Sequence, residues 1–334
     1  MNTFIIAEAG ANHNRNFNQA LSLIDVAVES GANACKFQTY SSETLYSKNA
    51  PDFAGYKNIN KLIKDIELPR EWQKDLKQYC DEKGIEFMST PFDEQAVDEL
   101  VNLGVKRLKI AGFESTDFRF VDMVASSKLP LVISLGIGFK MYYLGKIFEI
   151  AGRYGNELSF MYCNNAYPTP IEDVGIGIVK QLSKDTRYRW GLSDHTESPF
   201  TPALAVAAGA TIIEKRFTLS KHLPGPDHPF ALEPNELKQM VDNIKFAELS
   251  IQKQISDEIS TSEQTFVKAM RSVVTKIDLK KGDILTEDNI TTKRPCLEHS
   301  IPAIDYFNII GKQVSEDIQI DTLILKDQIF NYYE

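Results

Sequence analysis

Apolar and polar positions along the first 250 residues alternate between two periods. Short runs that are apolar throughout or at every second residue read as strands, and stretches with apolar residues three and four apart read as helices. The runs Phe4–Glu8, Ala34–Gln38, Ile85–Thr90, Arg107–Gly112, Leu131–Gly136, Leu158–Asn164, Tyr188–His195 and Thr211–Thr218 supply eight strands. Between them the pattern predicts helices, among them Asn18–Ser30, Glu71–Lys83, Glu94–Leu103, Met141–Tyr154 and Glu236–Ser250. Several end at a glycine (Gly31, Gly84, Gly104, Gly155), the residue that most readily takes the left-handed conformation of a helix C-terminus. Eight β/α units in about 250 residues specify an α/β fold of the (β/α)8 TIM-barrel type. A doubly wound open sheet is the alternative, but it usually has fewer strands and needs a glycine-rich phosphate turn after the first one. Ala9-Gly10-Ala11-Asn12-His13 is not that turn.

Polar residues recur at the C-terminal ends of these strands: Glu8, Lys36 and Gln38, Ser89 and Thr90, Lys109, Ser134, Asn164 and Asn165, then Ser193-Asp194-His195. In a barrel those ends converge on one mouth, where such folds carry their active sites. One such residue would be a cap or a rim group; seven strands of eight ending this way point to a polar site. Beyond residue 254 the rhythm changes. The predicted organisation is a barrel domain over 1–254, a polar linker over 255–270 and a small β-rich domain over 271–334. A domain of that size buries little surface alone and is expected to pack on the barrel or on a second chain.

Composition narrows the class. With 334 residues, 43% hydrophobic and 25% charged, the chain falls among ordinary globular proteins. Nothing near 18 consecutive apolar residues occurs, so no membrane span is expected, and Met1–Glu8 has no basic region leading into an apolar run. Cys35, Cys80, Cys163 and Cys296 are too scattered for a zinc ribbon or a disulfide framework; reduced thiols in a cytoplasm are the expectation. A net charge of −9 disfavours nucleic acid and anionic lipid, which need a local excess of Lys and Arg. An anionic small substrate stays possible where a few lysines converge.

The segments Ala7-Glu8-Ala9-Gly10-Ala11-Asn12-His13-Asn14, Lys36-Phe37-Gln38-Thr39, Ser89-Thr90-Pro91-Phe92, Lys109-Ile110-Ala111, Tyr167-Pro168-Thr169-Pro170, Gly191-Leu192-Ser193-Asp194-His195-Thr196 and Pro224-Gly225-Pro226-Asp227 resemble, in this order, the sialic acid synthase family. Lys280-Lys281-Gly282-Asp283 with Lys293-Arg294-Pro295 looks like that family's antifreeze-like (SAF) C-terminal domain. The resemblance implies addition of C3 of phosphoenolpyruvate to the open-chain aldehyde of an N-acetylated amino sugar, attack of water at C2 and loss of phosphate, with a divalent metal (Mn2+ or Mg2+). By the same resemblance Lys36 and Lys109 hold phosphate and carboxylate, with Thr90, Ser134, Asn165 and Ser193 as hydrogen-bonding partners. Glu114 matches the proposed catalytic glutamate, and Glu8, Gln38, Tyr167 and Asp227 match positions that bind the acceptor sugar. Arg294 matches an arginine that enters the site from a partner's C-terminal domain, which implies a domain-swapped homodimer. The opening segment looks like the legionaminic branch, with N-acetylmannosamine and the di-N-acetylated trideoxyhexoses all open as acceptors.

Some positions depart from the family pattern. Of the two metal histidines only His195 is kept; Arg216 stands where the second is expected, and a guanidinium has no lone pair to give. His222 and His228 are the alternative ligands in the loop that carries Asp227, and Arg216 itself is a cation able to meet developing negative charge. Gly112 replaces a serine, Leu135 a threonine, Arg15 a glycine, and Cys296-Leu297-Glu298-His299 a glycine-bearing turn. Two rival readings follow: a related synthase acting on another aldose, and an inactive sugar-binding paralogue.

Overall fold

The computed structural model describes residues 3–52, 55, 57–253, 256 and 258–332, and divides into two compact units, Met1–Lys253 and Gln254–Glu334. In the first, eight parallel strands form: β1 (Phe4–Gly10), β2 (Ala34–Thr39), β3 (Glu86–Pro91), β4 (Leu108–Ile110), β5 (Leu131–Leu135), β6 (Leu158–Tyr162), β7 (Arg189–Asp194) and β8 (Ile212–Arg216). Their order is β3-β2-β1-β8-β7-β6-β5-β4. At the seam where the ladder is interrupted β3 and β4 still lie side by side, so the sheet curls into a nearly closed TIM-like barrel. Its helices are α1 (Phe17–Ser30), α2 (Ile59–Ile66), α3 (Gln73–Lys83), α4 (Glu94–Leu103), α5 (Phe118–Ser126), α6 (Met141–Gly152), α7 (Ile176–Leu182), α8 (Thr201–Ala207) and α9 (Pro234–Ser250). Gly31, Gly84 and Gly104 adopt the left-handed conformation directly after α1, α3 and α4. Helix α6 stops at Gly152, short of the expected Tyr154, and Gly155 is left-handed beyond it.

The two-residue period of a strand sorts side chains into layers. Outward residues such as Ile5, Ala7, Cys35, Phe37, Ile133, Phe160 and Ile213 join the main core between barrel and helices. Inside the barrel, Ile6, Ala34, Met88, Val132, Met161 and Ile212 form a closed apolar plug. Gly191 completes this level, because any Cβ there would collide with the backbone of Ile212. Two residues further along the same strands stand Glu8, Lys36, Thr90, Ser134, Cys163, Ser193 and Glu214, and Lys109 of β4 joins them. A polar floor thus rests on an apolar plug.

The second unit pairs β9 (Ser272–Thr275) with β10 (Ile290–Lys293) antiparallel, and single bridges such as Val274 with Leu323 and Leu279 with Ile318 extend the pattern. Val273, Leu279, Leu285, Ile301, Val314 and Ile324 are among its buried core residues. Of the expected linker, Ile255 and Asp257 lie outside the described residues, and Thr261–Gln264 forms one helical turn.

Candidate active site

Glu214 is the centre of the polar floor. Its Oε1 accepts a hydrogen bond from Ser193 Oγ (3.0 Å) and lies 3.7 Å from Lys109 Nζ, while Oε2 lies 3.6 Å from Lys36 Nζ. Lys36 also pairs with Glu8 and donates to Thr90 Oγ1 (2.8 Å); Lys109 donates to the carbonyl of Ile110 (3.2 Å). Both lysines are only 2% exposed. Burial would raise the Glu214 carboxyl, but Lys109 and Lys36, aided by the Ser193 hydroxyl, outweigh it and bring the pKa to about 2. Burial lowers the Lys109 ammonium despite Glu214. Burial also raises Glu8, against Lys36 and Arg216 and with help from Glu214.

Above this floor, β8 ends in Arg216, 9% exposed. Its guanidinium pairs with Asp227, and Nη2 is 3.9 Å from Glu8 Oε1. The rings of Tyr167 and Phe230 lie 6.0 and 5.8 Å from Cζ, within cation–π range. Gly10 makes room beside it: a Cβ there would stand 2.7 Å from Nη1. Buried Nε has no hydrogen-bond partner among the described residues.

The loop after β6 supplies Asn165 and Tyr167. Asn165 Oδ1 accepts from the Ile137 amide (3.0 Å), and its amide fills the space beside Gly112 and Gly136 that a Cβ at either position would need. Glycine at 112, where the resemblance leads one to expect a serine, is therefore matched to where Asn165 and Cys163 pack. Tyr167 stacks obliquely on His195, ring centroids 4.4 Å apart. Glu114 follows β4 in a short helical turn; burial raises its carboxyl, more than Lys109 lowers it, and Oε2 has no partner among the described residues. Gln38 is half-buried at the end of β2, in line with Lys36. Arg294 is exposed after β10 in the second unit.

Two departures from the family pattern lie away from the floor. Leu135 points outward into the main core, 1% exposed, so its change of residue type is a matter of packing. Arg15, with a left-handed backbone that explains a glycine there, donates to the carbonyl of Lys64 (2.9 Å) at the end of α2. Glu214 was absent from the sequence-derived candidates, as was Lys215, 1% exposed and bonded to Asp194 (2.6 Å) and to the carbonyl of Thr196 (2.5 Å). Three successive charged residues in a buried strand were the signal for both.

A model of the family described as NeuB matches residues 23–256, and one of the SAF domain matches residues 270–329. The N,N'-diacetyllegionaminic acid synthase of Legionella pneumophila is 37% identical, over 98% of this chain and 95% of its own. The chain belongs to the NeuB family. The N,N'-diacetyllegionaminic acid synthase of Campylobacter jejuni is 36% identical over 96% of this chain and 98% of its own. Among solved structures, the N-acetylneuraminic acid (sialic acid) synthetase of Leptospira borgpetersenii, in complex with citrate, superposes with a TM-score of 0.73 at 31% identity, covering 80% of this chain and 90% of that one. Like its NeuB relatives, the chain is a synthase-family enzyme; no helix among its described residues is long and apolar enough to cross a membrane.

The two-histidine metal site implied by the family resemblance does not fit these residues. His195 does present the right tautomer: Nδ1–H donates to the carbonyl of Asn164 (2.6 Å), leaving Nε2 with the lone pair. Burial, with Arg216 adding to it, lowers its pKa to about 3, so it is neutral near pH 7. Yet no group of three or more His, Cys, Asp or Glu suited to an ion converges among the described residues. The alternative ligand His228 is fully buried and engaged on both ring nitrogens, by Thr218 Oγ1 (2.6 Å) and Asn14 Oδ1 (3.1 Å); His222 is exposed. An ion brought within about 4 Å of the Arg216 guanidinium would meet repulsion of about 4 kcal/mol per unit charge at an effective dielectric of about 20.

Three histidines, His13 and His228 buried and His195 half-buried, set an acid limit on stability. Burial lowers His13 to about 4, His195 to about 3 and His228 to about 4, all below the ordinary 6.5. The unfolded chain then binds more protons than the folded one as pH falls below about 6.5, so stability present above that value is lost toward pH 3 to 4. Raised Glu8 and Glu114 work the other way, at two sites against three. Denaturant titrations are expected to give an unfolding free energy at least about 2 kcal/mol lower at pH 4.5 than at pH 7; equal values would contradict the assignment.

Proposed function

We propose that the enzyme condenses phosphoenolpyruvate with an N-acetylated amino sugar, first of all a 2,4-diacetamido-trideoxyhexose, to give a nonulosonic acid and phosphate. The observation that carries this reading is the pair Lys36 and Lys109, both buried and both within 4 Å of Glu214, ringed by Thr90, Ser134 and Ser193. Two desolvated ammonium groups among hydroxyls on a barrel floor suit a small, highly charged anion. The diacetylated products named for the relatives at 37% and 36% identity favour the diacetamido acceptor.

The electron flow gives most of these residues a task. The C2=C3 π pair of phosphoenolpyruvate forms the new bond from C3 to the aldehyde carbon, and the carbonyl pair moves onto the aldehyde oxygen, which takes up a proton. C2, left electron-poor, accepts water, which gives up one proton; the second leaves as the C2 hydroxyl becomes a ketone and phosphate departs with the C–O pair. Glu114, its carboxyl raised by burial, is suited to move these protons. Lys36, Lys109, Asn165 and Ser193 hold phosphate and carboxylate. Glu8, Gln38, Tyr167 and Asp227 meet the acceptor's hydroxyl and amide groups.

A panel assay of phosphate release with N-acetylmannosamine and the diacetamido sugars leading to legionaminic and pseudaminic acids tests the reading. Turnover is expected with a diacetamido sugar, and Lys109→Ala should lower kcat/KM for phosphoenolpyruvate at least about tenfold, the scale of removing one charge-assisted hydrogen bond. No release with any sugar would favour an inactive paralogue, and turnover only with an unacetylated aldose a different synthase.

The working unit in this reading is a domain-swapped homodimer in which Arg294 completes a neighbour's site. Arg294→Ala and Glu114→Ala homodimers are each expected to be nearly inactive. Mixing them should restore activity, because a heterodimer retains one site with both residues. Absence of recovery after verified subunit exchange would remove Arg294 from the site.

A further inference from the structure

We propose that Arg216 is the fixed electrophile of this site, its guanidinium receiving the negative charge that develops on the acceptor's aldehyde oxygen, so that condensation needs no divalent ion. This rests on the condensation reading above and assigns to one side chain of this chain what a bound cation would otherwise supply.

The seat of Arg216 is built for a guanidinium. Asp227 pairs with it, Glu8 lies 3.9 Å from Nη2, the Tyr167 and Phe230 rings flank it within cation–π range, and Gly10 leaves the space that Nη1 occupies. Planar, delocalised and charged at all working pH values, such a group holds its position without a metal's need for ligands. Asp227 and Glu8, which pair with or approach the guanidinium, are the residues given to the acceptor sugar in the reading above, so the cation stands between the groups that would hold the reacting aldehyde. The Nε–H, buried and without a protein acceptor among the described residues, is a donor left over for a ligand oxygen. As C3 of phosphoenolpyruvate bonds to the aldehyde carbon, the carbonyl π pair moves onto that oxygen. A donor that is already oriented stabilises this charge more than the ground-state carbonyl, and the oxygen is then protonated to a hydroxyl.

Charge balance agrees. Lys36, Lys109 and Arg216 face Glu8, Glu214 and Asp227, three cations against three carboxylates. A neutral histidine at 216 would leave one carboxylate in excess, a charge for an ion to offset; the arginine already offsets it.

The test uses the full-length protein, stripped with chelator, assayed with phosphoenolpyruvate and the sugar panel with and without Mn2+, while electron paramagnetic resonance follows free Mn2+. Turnover should survive stripping within about twofold, and the protein should take up no Mn2+ at micromolar concentrations. Arg216→Gln should lower kcat at least about 100-fold with the KM for phosphoenolpyruvate changed less than about threefold. Arg216→Lys, which keeps the charge and the fold but not the donor geometry, should still lose at least about tenfold. Arg216→His should take up Mn2+ and become chelator-sensitive. Turnover abolished by stripping and restored by stoichiometric Mn2+, or 1:1 Mn2+ uptake by the unaltered protein that His195→Ala removes, would overturn the proposal. No turnover with or without Mn2+ would sink the condensation reading and this one with it, an outcome distinct from metal-dependent turnover.

Discussion

Replacing Glu214 with glutamine is expected to lower the unfolding free energy by about 3 kcal/mol or more and to make the protein unusually dependent on bound anions. The side chain keeps its shape, so the effect isolates charge. Glu214 lies within 4 Å of both Lys36 and Lys109, and the three groups are nearly without solvent. Without it, Lys36 keeps only its pair with Glu8 and Lys109 loses its ion pair, and losing one partner of a buried ion pair costs about 3–5 kcal/mol. A bound phosphoenolpyruvate or inorganic phosphate would restore the missing negative charge. Denaturant titrations should therefore show a larger stabilisation by either anion in Glu214→Gln than in the parent, as tighter binding to the folded state requires. Equal stability and equal response to anions would make Glu214 a bystander and weaken the case for an anion site on this floor.

Glu114→Gln is expected to lower kcat by about 100- to 10,000-fold, the range of a positioned general acid or base, while the KM for phosphoenolpyruvate changes little. Glu114 forms no ion pair with the lysines at salt-bridge distance, so its charge is not needed to hold the phosphate. Its carboxyl is raised by burial above the ordinary 4.5. The acid limb of the kcat/KM profile should accordingly lie above that value and disappear in the variant. Steady-state kinetics across pH 5 to 9 decide this, and a loss below tenfold would remove Glu114 from proton transfer.

Most of the barrel was legible because its strands repeat one arrangement: an apolar inward residue with a polar one two places on, as in Ile6 and Glu8, Ala34 and Lys36, or Val132 and Ser134. That period carries both the fold and the mouth. It also allows a finer reading than residue type alone: Leu135, next to inward Ser134, had to point outward, and does. Helix α8 was hard to read because it is short and buried over most of its surface, with no polar stripe to reveal a period. The pairing of Arg216 with Asp227, and the fit of Gly10 beneath them, depend on loops meeting across the mouth, which local pattern does not encode. Glu214, a charge two places after inward Ile212, obeys the same rule as Glu8 and Lys36, while its place between Lys36 and Lys109 depends on strands distant in sequence.

Carbon–carbon bond formation is the reaction proposed for this floor. Incubation of the full-length protein with phosphoenolpyruvate labelled with 13C at C3, a 2,4-diacetamido-trideoxyhexose and no other enzyme, followed by NMR, tests it most directly. The label is expected to move from an enol methylene to a methylene bonded to a carbinol carbon, with one phosphate released per product. Phosphate release with the label in the methyl group of pyruvate, or an unchanged phosphoenolpyruvate signal with every sugar of the panel, would contradict it.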